Sequence, residues 1–298
     1  MIFAMILPGI FFRKCTKMTV ENSDGINSFV VNLAWPCLVI DAMQLEFSMQ
    51  ILKDSIYIMI LCLILFALLL LISFPFAKAI KLTKTKRYLT IFMLLFGNTG
   101  FIGIPVIRAL YGTDALFFAA IMELVNDILL FTVGIACIQM SAGAGVKIRA
   151  KDLLSPGLIG VLIGLALFLL RIELPAVIET PVATIGTCTT PLAMFIIGFQ
   201  LGGLSLKEIL GDVQVYAECF MKLIIVPVLA LLMVKIWAGD LTLLEKVFVI
   251  DFAMPVASAA AIYSQAYRGE QAFATKSVLL STVLSIITIS VFAIILEL

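Results

Sequence analysis

From Ile56 to Leu71 the chain carries no charged side chain and almost nothing polar. A run of that length fixes the solvent before it fixes the fold. In hydrocarbon a backbone must satisfy its own hydrogen bonds, which leaves helix bundles and closed barrels. Barrel strands alternate apolar with polar residues over short stretches, whereas this run is continuous, so helices are expected. The rest of the chain agrees: 63% of its 298 residues are hydrophobic and 13% are charged. Soluble domains carry about 25% charged residues. With a mean hydropathy of +1.19, lipid must cover most of the apolar surface.

At about 20 residues per crossing, the length admits roughly ten spans. The hydropathy places them at 1–13, 25–43, 51–77, 88–111, 114–140, 156–171, 175–203, 213–237, 244–267 and 271–296. An even number puts both termini on one side, and lysine and arginine decide which, because cytoplasmic loops retain them. Alternate loops hold Arg13, Lys14 and Lys17, then Lys78 to Arg87, then Lys147, Arg149 and Lys151, then Lys207, then Arg268 and Lys276. The opposite loops hold only Lys53, Arg108, Arg171, Lys235 and Lys246. The bias predicts a multi-pass protein of the plasma membrane with both termini extracytoplasmic. Residues 1–12 are apolar but lack a basic start and a small-residue cleavage site, which argues against a cleaved leader. Twelve helical residues reach about 18 Å of a core near 30 Å, so either the first span is short or the start lies upstream of Met1.

Several function classes drop out. The net charge of +1 gives no footprint for nucleic acid. The chain has no histidine, which removes histidine metal ligands, general bases and proton relays. Six scattered cysteines form no CxxC pair and read as small buried apolar residues. No metal site, cofactor motif or acid–base constellation argues for an enzyme.

The two halves echo each other. Pro8 and Pro156, Pro36 and Pro191, and Pro105 and Pro255 are paired at an offset of about 150 residues. Five spans per half is an odd number, so the second half must enter the membrane from the opposite side. The expectation is two inverted five-helix repeats, 1–140 and 156–298, joined by a short basic cytoplasmic linker over 141–155. Inverted repeats are the usual architecture of secondary transporters.

The chemistry should sit where helices fail. Gly97-Asn98-Thr99-Gly100-Phe101-Ile102-Gly103-Ile104-Pro105 cannot form a regular lipid-facing helix. Proline removes a donor and clashes with the preceding turn; glycine weakens a helix by about 1 kcal/mol per residue. The groups set free need protein, water or a ligand, and Asn98 adds an amide that both donates and accepts. The alternative is a kinked helix packed through small residues. In the corresponding span of the second half, Asp251–Ala261 brings a second break at Pro255, followed by Ser258. Two interrupted helices at matching places point to a midplane binding site, and half-helix amino termini facing it would favour an anion.

Ionisable residues inside spans usually face a cavity or a partner. Glu123 and Asp127 are four apart on one helical face, with Asn126 beside them, and are candidates for binding a coupling proton or cation, unless they lie near the outer water. Asp251 is a further coupling candidate. Glu218 and Lys222, also four apart, read as an internal ion pair.

The phrase GNTGFIGIP resembles the fourth-span signature of the auxin efflux carrier family, which runs Asn-x-Gly-Phe-x-Gly-x-Pro. FFRKCTKMTVENSDGINSFVVNLAWPCL resembles that family's first loop and second span, TTPLAMFIIGFQLG its seventh, FAMPVASAAAIYSQAY its ninth and LSTVLSIITI its tenth. The resemblance covers nearly the whole chain. It implies an all-α fold of ten transmembrane helices similar to the bile acid/sodium symporters, with crossing broken helices four and nine. Spans 1, 2, 6 and 7 would form a scaffold, often dimeric, and the others a transport domain that moves like an elevator. The short central loop is similar to that of bacterial permeases of malate, malonate and related carboxylates. Asn98, Gly100, Gly103 and Pro105 are the crossover residues it implies, with Pro255 in the mate. Many members carry an asparagine four residues after the ninth-span proline, where this chain has Ala259.

The reading is a permease of a small organic anion, with Asn98, Gly100, Gly103, Pro105, Pro255 and Ser258 toward substrate and Glu123, Asn126, Asp127 and Asp251 toward a proton or sodium ion. The runner-up is a sodium-coupled symporter of the bile-acid type. A channel would not need paired breaks in inverted halves.

Overall fold

The computed structural model describes residues 2–147, 154–203, 211–239 and 241–297. Arg149, Lys151 and Lys207, on which part of the loop-charge reading rests, lie outside the described residues, as does most of the linker's basic stretch. Within them the chain is helical, with no β-strand beyond one isolated bridge. In order come α1 (Ile6–Cys15), α2 (Val20–Ala42), α3 (Met49–Ala79), α4 (Lys84–Leu95), α5 (Thr99–Tyr111), α6 (Asp114–Ser141), α7 (Pro156–Leu170), α8 (Ala176–Gly202), α9 (Val213–Ala238), α10 (Leu243–Phe252), α11 (Ala259–Ala266) and α12 (Gln271–Glu297). Helices α2, α3, α6, α8, α9 and α12 are long and apolar enough to cross a membrane, while α5 and α7 are shorter apolar helices. The stretches 88–111 and 244–267, each expected as one interrupted span, are both split: α4 from α5, and α10 from α11.

Proline explains most of the internal irregularities. A wide i→i+5 turn occupies Val30–Ala34 in α2, Thr99–Gly103 at the start of α5 and Met221–Ile225 in α9. Each is followed two residues later by a proline: Pro36, Pro105 and Pro227. A proline ring collides with the carbonyl four residues back, and here that carbonyl belongs to Asn32, Phe101 or Leu223, inside the wide turn. Adding a residue to the turn relieves the clash without ending the helix. A further wide turn, Leu130–Gly134 in α6, has a different cause. There the Thr132 hydroxyl donates back to the Ile128 carbonyl at 2.6 Å, and Gly134 is pressed against the rings of Phe92 and Phe96.

The chain divides into two compact units, each assembled from separated stretches. The first comprises Met1–Ile58, Gly100–Leu124 and Leu154–Ser205. Its helices approach through glycine. A Cβ on Gly9 would strike the Phe195 carbonyl and a Cβ on Gly198 the Ile6 carbonyl, so α1 lies backbone to backbone on α8. Gly160 and Gly164 of α7 likewise admit Pro36 of α2 and Met43, which follows it. In lipid, where apolar burial between helices drives little, such close approach supplies dispersion contact that larger residues prevent.

The second unit comprises Met59–Thr99, Val125–Leu153 and Leu206–Leu298. Its centre is aromatic: Phe66 of α3 packs against Phe96 and Phe252 at ring separations of 5.6 and 5.4 Å. Phe96 and Phe252 are the residues at which α4 and α10 give out, so the aromatic cluster holds both breaks. Outward-facing residues are apolar instead of charged. Leu71 and Ile236 are 72% and 83% exposed, an arrangement suited to acyl chains and costly in water.

Candidate functional site

The second unit places the two breaks against each other. After Leu95 the chain turns extended at Phe96 (φ −102°, ψ 120°), and Gly97 pairs with Val256 as an antiparallel bridge. The Asn98 amide N–H donates to the Pro255 carbonyl at 2.7 Å, and the Ala257 N–H donates to the Phe96 carbonyl at 3.1 Å. The Val256 N–H, which faces away from that pair, donates to the Ser281 hydroxyl of α12 at 3.2 Å. Backbone groups freed by two broken helices are thus satisfied by each other and by one serine, as a buried site requires. Gly97 is what lets the strands cross: a Cβ there would stand 3.2 Å from Met254 Cβ.

One side-chain contact spans the crossing. The Asn98 amide Nδ2 donates to the Ser258 Oγ at 3.1 Å. Asn98 is buried and Ser258, directly before α11, is half-buried. Of the candidate substrate residues, Asn98, Pro255 and Ser258 are therefore brought together. Within the first unit, a Cβ on Gly100 would lie 3.6 Å from Glu123 Oε1, with Gly103 and Pro105 buried in the same stretch.

The acidic candidates sit deeper than open loops would allow. Glu123 and Asn126 of α6 are buried, and Asp127 is half-buried. Asp251, the penultimate residue of α10, is also buried. Its charge acts on Lys222 and on Cys62.

The expected Glu218–Lys222 ion pair needs correction. The two groups couple electrostatically, but no contact within ion-pair distance joins them; among the described residues such a contact is made by Lys246 and Glu297. The wide turn Met221–Ile225 begins between the two positions, so the i, i+4 register of a regular helix is lost there. Lys222 instead donates to the Leu94 carbonyl at 3.1 Å, in the last turn of α4. That tertiary bond, and the Ser281 bond to Val256, join residues from different spans, and no local spacing signals either of them.

Paired breaks in a lipid-facing, all-helical chain call for a transporter, and comparison with known proteins decides the matter. The model of the membrane transport protein family, which includes the auxin efflux carriers, matches residues 1–293. The chain belongs to that family. It is 22% identical to an uncharacterized transporter of Methanothermobacter thermautotrophicus over 99% of this chain and 96% of the relative. It is 23% identical to an uncharacterized transporter of Methanocaldococcus jannaschii over 97% of this chain and 94% of the relative. As a family member the chain is a multi-pass membrane transport protein.

Proposed function

We propose that this transporter is a secondary-active permease of a small organic anion, a carboxylate, working by alternating access. The single observation that carries the reading is the Asn98–Ser258 contact at the crossing of two broken helices. An amide donor, a hydroxyl and the amino terminus of α11 meet there, and all three suit a carboxylate. Gly100, Gly103 and Pro105 of α5, and Pro255 between α10 and α11, are assigned to the substrate by the family pattern. Glu123, Asn126, Asp127 and Asp251 are assigned to coupling.

The architecture we infer is ten transmembrane helices in two inverted repeats, 1–140 and 156–298, joined by 141–155, with α4/α5 and α10/α11 as the fourth and ninth spans. Pro105, within α5, and Pro255, between α10 and α11, are the paired prolines of these two spans. An elevator movement, with spans 1, 2, 6 and 7 as the scaffold, belongs to the same proposal and rests on the chain's membership of the family. Both termini are placed outside the plasma membrane by loop charge, and a dimer through the scaffold fits the same scheme.

The test is uptake of labelled malate, malonate and related carboxylates into proteoliposomes by wild type and Asn98→Ala. Saturable uptake lost in the variant at equal protein content supports the assignment. Wild-type flux retained in Asn98→Ala removes Asn98 from the site. A sodium requirement would favour the bile-acid type of symporter.

A further inference from the structure

Glu218, Lys222 and Asp251 are buried ionisable residues that the Asn98–Ser258 site does not use. Their exposures are 0%, 1% and 6%. Lys222 Nζ donates to the Leu94 carbonyl at 3.1 Å, and a Cβ on Gly97 would stand 3.5 Å from the same nitrogen. The ammonium therefore lies directly against the bridge that joins the two breaks. Both carboxylates act on it electrostatically. Thr90 is the polar neighbour of Glu218, yet neither its hydroxyl nor either Glu218 oxygen has a partner at hydrogen-bond geometry.

With the lysine set aside, what remains is a recognisable donor set. The Leu94 carbonyl belongs to the carboxyl end of a broken helix, where the dipole is negative. Glu218 and Asp251 add carboxylates in a place closed to water. Carbonyls at half-helix ends are the groups with which secondary transporters hold their coupling cations, and hard oxygen donors suit such ions. In this chain a tethered ammonium already stands there.

We propose that Lys222 is a built-in cation: its ammonium fills the position of a dissociable monovalent cation at the crossing and holds α4, α9 and α10 together without one. The inference rests on the crossing being the transport site, and it deepens that reading by making Asp251 the counter-charge of a tethered ammonium. Coupling is then left to Glu123, Asn126 and Asp127, and wild-type function is independent of sodium. Removing the ammonium leaves two buried carboxylates and a carbonyl uncompensated, and so creates a site for a free cation.

The experiment is the melting temperature of the full-length purified protein, titrated with sodium, potassium or methylammonium chloride at ionic strength held constant with choline chloride. Wild type is expected to be flat in all three. Lys222→Ala should melt lower in choline and recover saturably by roughly 5–10 °C with at least one of the cations, the shift that mass action gives at about a hundredfold excess over Kd. Lys222→Ala combined with Glu218→Gln should lose that recovery. A saturable sodium stabilisation of wild type overturns the proposal, as does a folded Lys222→Ala that responds to none of the cations. Should Lys222→Ala not fold, the wild-type titration decides alone, a flat response supporting the built-in cation and a saturable one overturning it. No carboxylate enters these readouts, so the substrate assignment and the cation assignment can fail separately.

Discussion

The side-chain amide of Asn98 donates to the hydroxyl of Ser258 across 3.1 Å, joining two helix breaks that lie 160 residues apart in sequence. Around this contact the backbone is self-sufficient: Phe96, Asn98, Pro255 and Ala257 exchange hydrogen bonds, and Ser281 takes the Val256 N–H. Such a crossing suits membrane depth because its backbone groups find partners within the protein and need none from water.

Ser281 should therefore matter far more than its neighbour one turn away. Ser281→Ala leaves the buried Val256 N–H without its acceptor, at a cost of about 1–3 kcal/mol. Ser277, equally buried, has a hydroxyl with no partner, so Ser277→Ala should be neutral or stabilising. Melting temperatures of the two variants check this; equal losses would contradict the hydrogen-bond assignment.

Glycine offers a second contrast. Gly198→Ala drives a Cβ into the Ile6 carbonyl of α1, and the helices must separate, with an expected loss of about 1–3 kcal/mol by analogy with overpacked cores. Gly25→Ala in α2 meets nothing within 4 Å, and should gain about 0.5–1 kcal/mol from helix propensity. A destabilised Gly25→Ala together with an unaffected Gly198→Ala would refute this picture of α1 on α8.

The two breaks were legible because glycine and proline declare themselves locally. Gly97 and Pro255 each disfavour a regular helix, and the structure interrupts the helices at residues 96–98 and 253–258. Gly100, Gly103 and Pro105 fall inside α5, whose first turn is widened. Long apolar runs such as 51–77 likewise gave α3 to within two residues at either end. What one helix does to the next was not legible. The Glu218–Lys222 spacing read as an ion pair, but Pro227 widens the turn between them, and Lys222 finds Leu94, 128 residues away. Ser281 gave no signal because a serine bonding to its own helix and one capping a distant break look alike in sequence. The role of Glu123 is an assignment from its helical face and burial alone.

That assignment has a direct consequence. If Glu123 binds the coupling proton, Glu123→Gln should flatten the pH dependence of carboxylate uptake in proteoliposomes while leaving the protein folded. A variant whose pH profile superimposes on that of wild type takes Glu123 out of the mechanism.

Orientation can be read with a native thiol. Cys15 is exposed, at the end of α1 beside the basic loop that the charge bias places in the cytoplasm. In a variant retaining only Cys15, a membrane-impermeant maleimide should label permeabilised cells and not intact ones. Equal labelling of intact cells would invert the topology.

The most direct test of the crossing as a carboxylate site is ligand-dependent thermal stability of wild type beside Asn98→Ala. The panel comprises malate, malonate, citrate and indole-acetate, each with and without sodium. A ligand that binds only the folded state raises the melting temperature by mass action. The account predicts a saturable rise with at least one carboxylate, indifferent to sodium and absent in a folded Asn98→Ala. A rise of the same size in that variant would contradict it.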